Sequence, residues 1–191
     1  LCVLLTGMAL QGIHGIAATH MYDVGLDKDY VATVLSVCSI VLACSKFLVG
    51  FSYDKLGLRV TVTICDLFGC GAFLCLAFAS ATASGNVLSM CYGVLAALAL
   101  PLETVLVPLI AADLFGEKEF AKMLGIFVSL NTAGYALGTP VANLIFEGTG
   151  SYRSILILFG IMMAVIAVVF QFIMNGSAKE HKRVAALEVT E

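Results

Sequence analysis

Charge is scarce in this chain. Of its 191 residues only 12% are Asp, Glu, Lys or Arg, 61% are hydrophobic, and mean hydropathy is +1.04. A soluble domain of this size would not leave so little charge for its surface, so the composition excludes one and points to a polytopic membrane protein. The net charge of −3 comes with no basic face, which excludes nucleic acid as a partner. The seven cysteines include no CxxC pair and no histidine at metal-ligand spacing, so neither a metal site nor a cofactor is expected. They read as buried reduced thiols acting as small hydrophobes.

Enzyme signatures are missing as well. There is no GxxxxGKS/T phosphate loop and no HExxH. Thr82-Ala83-Ser84-Gly85 comes near the Gly-x-Ser-Gly of an intramembrane serine protease, but the first glycine is absent, and the only histidine downstream is His181, in a polar tail. The chain is therefore not expected to be an enzyme.

Six long apolar segments are present, at about 1–19, 30–53, 60–80, 86–112, 121–146 and 153–174. Each is within reach of the about 20 helical residues that cross a hydrocarbon core. They predict an all-α membrane fold, a six-helix bundle over 1–174 followed by a polar tail at 175–191. The chain opens on Leu1-Cys2-Val3, inside the first apolar run, with no charged n-region and no small-residue cleavage site. That excludes a signal peptide and leads us to expect a fragment cut within or near the start of a helix.

Taking alternate connections as one side, Lys55, Arg59, Lys118, Lys122, Lys179, Lys182 and Arg183 lie together, against Lys28 and Arg153 opposite. The asymmetry predicts both ends in the cytoplasm. Asp27-Lys28-Asp29-Tyr30 is echoed by Glu117-Lys118-Glu119-Phe120, and Tyr53-Asp54-x-x-Gly57 by Phe146-Glu147-x-x-Gly150. The copies fall on opposite membrane faces, as two three-helix units of inverted topology would place them, giving a 3+3 bundle. Pro101, Pro108 and Pro140 all lie inside predicted helices, where neighbouring helices must satisfy the broken backbone. Gly134 and Gly138 form a GxxxG face suited to close helix contact.

Charge inside the membrane is costly and therefore informative. Lys46 is the sole charge in 30–53. Placed about 10 Å deep, it either snorkels to the interface or meets an anion in a central cavity. Glu103, between Pro101 and Pro108, is the second such residue: an ion-pair partner for Lys46, a proton carrier, or a hydrogen-bonded core acid. Gln11 and His14 are one turn apart and share a face, either lining a cavity or, for the histidine, bonding a backbone carbonyl. Asp66, about six residues into the third segment, reads as structural and near the interface.

Between the second and third segments lies Gly50-Phe51-Ser52-Tyr53-Asp54-Lys55-Leu56-Gly57-Leu58-Arg59. Gly57 can adopt the left-handed conformation that ends a helix. Asp54, at the negative end of a helix dipole, requires a partner such as Arg59 or another helix N-terminus. The pattern Gly-x-x-x-Asp-Lys-x-Gly-x-Arg resembles the loop motif of the major facilitator superfamily, with Val60 standing at its last basic position. The resemblance implies a conformational latch made by Gly50, Asp54, Lys55, Gly57 and Arg59.

Lys46, four residues before Gly50, stands where the monocarboxylate and oxalate/formate branch places a substrate-binding arginine. Asp113–Phe120 with Gly125, and Gly134-x-x-x-Gly138-x-Pro140 with Gly148–Tyr152, are similar to loops late in that branch. The resemblance implies helices 7 to 12, the C-terminal half of a secondary transporter of a small carboxylate, completed by a missing N-terminal six-helix half. Lys46 would neutralise the solute, with Gln11, His14, Glu103 and Asn131 shaping or coupling the site; Asn131 stands where the oxalate-type pattern has a second cation. Lysine lacks the bidentate fork of arginine, and Leu42 stands where monocarboxylate carriers have an acid, so proton coupling does not carry over. The membrane lipid is the surrounding medium and the plasma (inner) membrane the implied location. A self-contained six-helix oligomeric pore or scaffold is the alternative that the same repeat and loop would fit.

Overall fold

Runs of Leu, Val, Ile, Ala and Phe in lipid must satisfy every backbone group internally, and the helix is the local way to do so. In the computed structural model, every regular element among the described residues is helical. The structure describes residues 1–188; the side chains of Glu117 and of residues beyond Met174 lie outside the described part, as do residues 189–191.

Helix α1 is Cys2–Asp23. Lys28–Ala77 follows as 50 helical residues broken at Gly57, which divides it into α2 (28–56) and α3 (58–77). Gly57 has φ 79° and ψ 168°, so it supplies a positive φ but with an extended ψ rather than the left-handed helical one expected. That region is open essentially to glycine alone. Gly116 repeats the device at φ 67° and ψ 177°. It separates α4, which covers Ala83–Gly116, from α5, Lys118–Thr149. Helix α6 is Arg153–Glu188, so the segment expected as a polar tail continues the helix. Asp27 caps α2 through the amides of Asp29 and Tyr30, and Thr82 caps α4 through that of Gly85 at 3.1 Å.

Among the described residues, five helical stretches are long and apolar enough to cross a membrane, and the break at Gly57 makes the longest of them two. The ends reach past the apolar runs because polar residues continue the helix beyond the hydrocarbon. Helix α1, for example, runs on through His20 to Asp23.

The helices pack in three pairs. Small residues bring α1 onto α5: a methyl on Gly12 would meet Gly138 Cα at 3.3 Å, and one on Gly134 would strike the Leu4 carbonyl. Helix α2 lies on α4, where buried Ser45 donates to the Ala97 carbonyl at 2.6 Å and Tyr30 to that of Asn86 at 2.6 Å. Helix α3 lies on α6, with Phe73 and Phe159 edge to face at 6.0 Å. At the end opposite Gly57, Tyr152 stacks on Phe146 at 4.3 Å and donates to Asn143 at 3.0 Å. Burial, with Asp23 nearby, pushes its phenol above the ordinary range.

Candidate functional site

The rotation of α2 about its axis is set by Ser45, fully buried and bonded across to α4. The next residue, Lys46, is thereby left on the open side of the bundle and is exposed. Because α2 runs to Leu56, Lys46 sits ten residues from that end. Seven of those residues separate it from Tyr53, where the apolar run ends before Asp54 and Lys55, so it stands about 10 Å inside the run.

Lys46, Gln11, His14 and Thr104 line one pocket of about 130 Å³, floored by Leu42 and Leu100. Lys46, His14 and Thr104 are exposed and Gln11 is half-buried, so three helices (α1, α2 and α4) place a polar patch on one face at membrane depth. The histidine that bonds a backbone carbonyl is a different one: His20, buried, lies 3.0 Å from the Leu76 oxygen.

Glu103 is not paired with Lys46. Its Oε2 accepts from Gln11 Nε2 at 2.6 Å. It reaches that position from a π-helical turn, Leu102–Leu106, that begins directly after Pro101 and ends just short of Pro108. Such turns insert an extra residue and redirect a side chain, and they concentrate at functional sites. The two prolines were legible in the sequence; the wide turn between them was not.

Asn131 stands apart from Lys46. It lines a separate, inner cavity with Thr6, Asp66 and Glu103. Asp66 is buried, at 1% exposure, because α3 turns that face toward α1 and α4. Glu103 is thus the link between two compartments, lining the inner one and touching the outer one through Gln11.

At the Gly57 turn, Arg59 donates to Gln171 of α6 at 2.5 Å rather than pairing with Asp54. Gln171 in turn donates to Thr63. Lys55 lies over the Phe51 ring at 4.5 Å. Asp54 is exposed and has no ion-pair or hydrogen-bond partner among the described residues. Gly50 is half-buried, with open space where a Cβ would be. Tyr53 donates to Asp113 at 2.8 Å, tying the end of α2 to that of α4, a contact that no sequence spacing signalled.

Residues 1–190 match the family model described as Major Facilitator Superfamily. The chain is 24% identical over 174 residues to monocarboxylate transporter 12 of Rattus norvegicus, covering 89% of this chain and 34% of that protein. Against monocarboxylate transporter 12 of Homo sapiens it is 22% identical over 168 residues, covering 86% and 31%. The chain spans about a third of the length of these curated relatives. With a family model covering nearly all of it, six apolar helices and a charged glycine turn in the family's pattern, the chain belongs to the major facilitator superfamily.

Proposed function

We propose that this chain is the C-terminal half of a secondary transporter that moves a small organic anion, of the monocarboxylate class, by alternating access. The observation that carries the reading is Lys46. A lysine about 10 Å inside an apolar membrane-spanning run, on an open face beside Gln11, His14 and Thr104, makes no ion pair among the described residues. A fixed cation at that depth is costly in lipid, and a water-filled passage with an anionic solute removes the cost. The patch is where a second six-helix half would face this one, with the solute between them near the midplane.

The helix pairing supports a 3+3 origin. Exchanging the first three helices with the last three turns the α1–α5 contact into the α4–α2 contact and leaves the α3–α6 contact in place. In this reading Gly57 faces the cytoplasm of a plasma (inner) membrane, as do both chain ends. The turn from Gly50 to Arg59 acts as the latch, and Asp54, exposed and unpaired among the described residues, takes its partner from the missing half.

Lys46→Gln in the intact protein tests the solute site. Uptake of small carboxylates should be abolished with membrane insertion unchanged, and Lys46→Arg should retain part of it. Normal uptake by Lys46→Gln would remove Lys46 from the site.

A further inference from the structure

The four polar side chains lining the outer pocket, Gln11, His14, Lys46 and Thr104, differ in what they offer a solute. Lys46 only donates, whereas the Thr104 hydroxyl and the His14 ring each donate or accept, by rotation or by tautomer. Gln11 is different because Glu103 fixes it. Its Nε2 donates to Glu103 Oε2 at 2.6 Å. The acid itself is buried, at 7% exposure, and is held on the π turn Leu102–Leu106.

An amide that gives its nitrogen to a buried acid turns its oxygen the other way. Gln11 Oε1 has no hydrogen-bond partner among the described residues, yet it is not among the unpartnered oxygens there that are shielded from solvent. The pocket beside Lys46 is the space that Gln11 lines, so this oxygen is open to it. Glu103 thus turns a side chain able to present either polarity into a fixed acceptor.

A solute in this pocket meets a cation and, within the same small space, an acceptor. A carboxylate satisfies Lys46, and only a donor on the solute satisfies Gln11. A neutral hydroxyl fits, whereas an ammonium would bring a second positive charge into the pocket that holds Lys46. A keto oxygen in the same place would set two acceptors face to face. We propose that Gln11, positioned by Glu103, selects a short carboxylate with a hydroxyl on the adjacent carbon over its keto counterpart. This selectivity rests on the outer pocket being the solute site.

Uptake of radiolabelled 2-hydroxypropanoate, 2-oxopropanoate and propanoate by the intact protein, each over a range of concentrations, is the test. The half-saturating concentration of the hydroxy acid should lie about fivefold below that of the keto acid, with propanoate between them. That ratio is about 1 kcal/mol, the net contribution of one hydrogen bond. Gln11→Met keeps the length of the side chain without its polarity and should make the hydroxy and keto acids equal. Glu103→Gln frees the Gln11 amide to turn either way, so the preference should vanish with Gln11 intact, an effect that a merely structural Glu103 would not have. Either variant carries the test if the other does not fold.

A keto acid taken up as readily as the hydroxy acid, or a preference that survives in either variant, would overturn the inference and leave the solute site standing. Uptake of none of the three acids, or normal uptake by Lys46→Gln, would sink the solute site and the inference with it.

Discussion

Helix α5 carries three glycines for which the same substitution should have opposite outcomes. At Gly134 an added methyl would overlap the Leu4 carbonyl oxygen and lie 2.9 Å from the Met8 nitrogen; at Gly138 it would lie 2.9 Å from Gly12 Cα. These neighbours are backbone of α1 and cannot rotate away, so the two helices must separate. Overpacking of this kind costs about 1–3 kcal/mol. At Gly125 nothing lies within 4 Å, and alanine there gains helix propensity of up to about 1 kcal/mol.

Gly134→Ala and Gly138→Ala should therefore each lower the melting temperature of the intact protein in detergent, while Gly125→Ala holds or raises it. The two damaging sites are one turn apart on a single seam, and the first change opens the gap that the second needs. Their double variant should lose clearly less than the sum, a coupling that distant sites do not show. Equal effects at all three positions, or strict additivity of Gly134→Ala with Gly138→Ala, would refute the seam between α1 and α5.

Gly57→Ala forces a side chain into a backbone region that only glycine enters readily, and should cost about 1–3 kcal/mol, read as a lower melting temperature with membrane insertion intact. Ser45→Ala leaves the Ala97 carbonyl without its cross-helix donor; a loss of about 1–3 kcal/mol and reduced uptake should follow, because Ser45 sets the direction of Lys46. Asp54→Asn should slow turnover more than it weakens solute affinity, and an unchanged turnover rate in a transport assay would count against the latch.

Apolar run length and the glycine turn were legible from sequence because both are local: a bilayer sets the first, and a positive φ demands the second. Gln11 and His14 were also legible as neighbours, since helical periodicity puts them on one face. What sequence could not supply was contact between helices far apart in the chain. Gln11 and Glu103 meet across 92 positions, and Arg59 and Gln171 across 112. From sequence Glu103 is therefore an ion-pair partner for Lys46, a proton carrier or a hydrogen-bonded core acid alike, and only the contact with Gln11 favours the last. Counting residues gives the height of Asp66 along α3, whereas its burial depends on the inward turn of that helix face, which the sequence does not show. Asn131 was grouped with Lys46 by resemblance, but packing of α5 on α1 carries it to the inner cavity.

The account turns on whether the face bearing Lys46 looks into water or into lipid. Single cysteines at His14 and Thr104, in the intact protein stripped of its native cysteines, should react with a polar, membrane-impermeant maleimide and be protected by a carboxylate solute. Leu67 and Ile161, exposed on α3 and α6, should stay unlabelled as lipid-facing controls. Labelling at His14 and Thr104 no faster than at Leu67 and Ile161 would contradict the passage, and with it the role of Lys46.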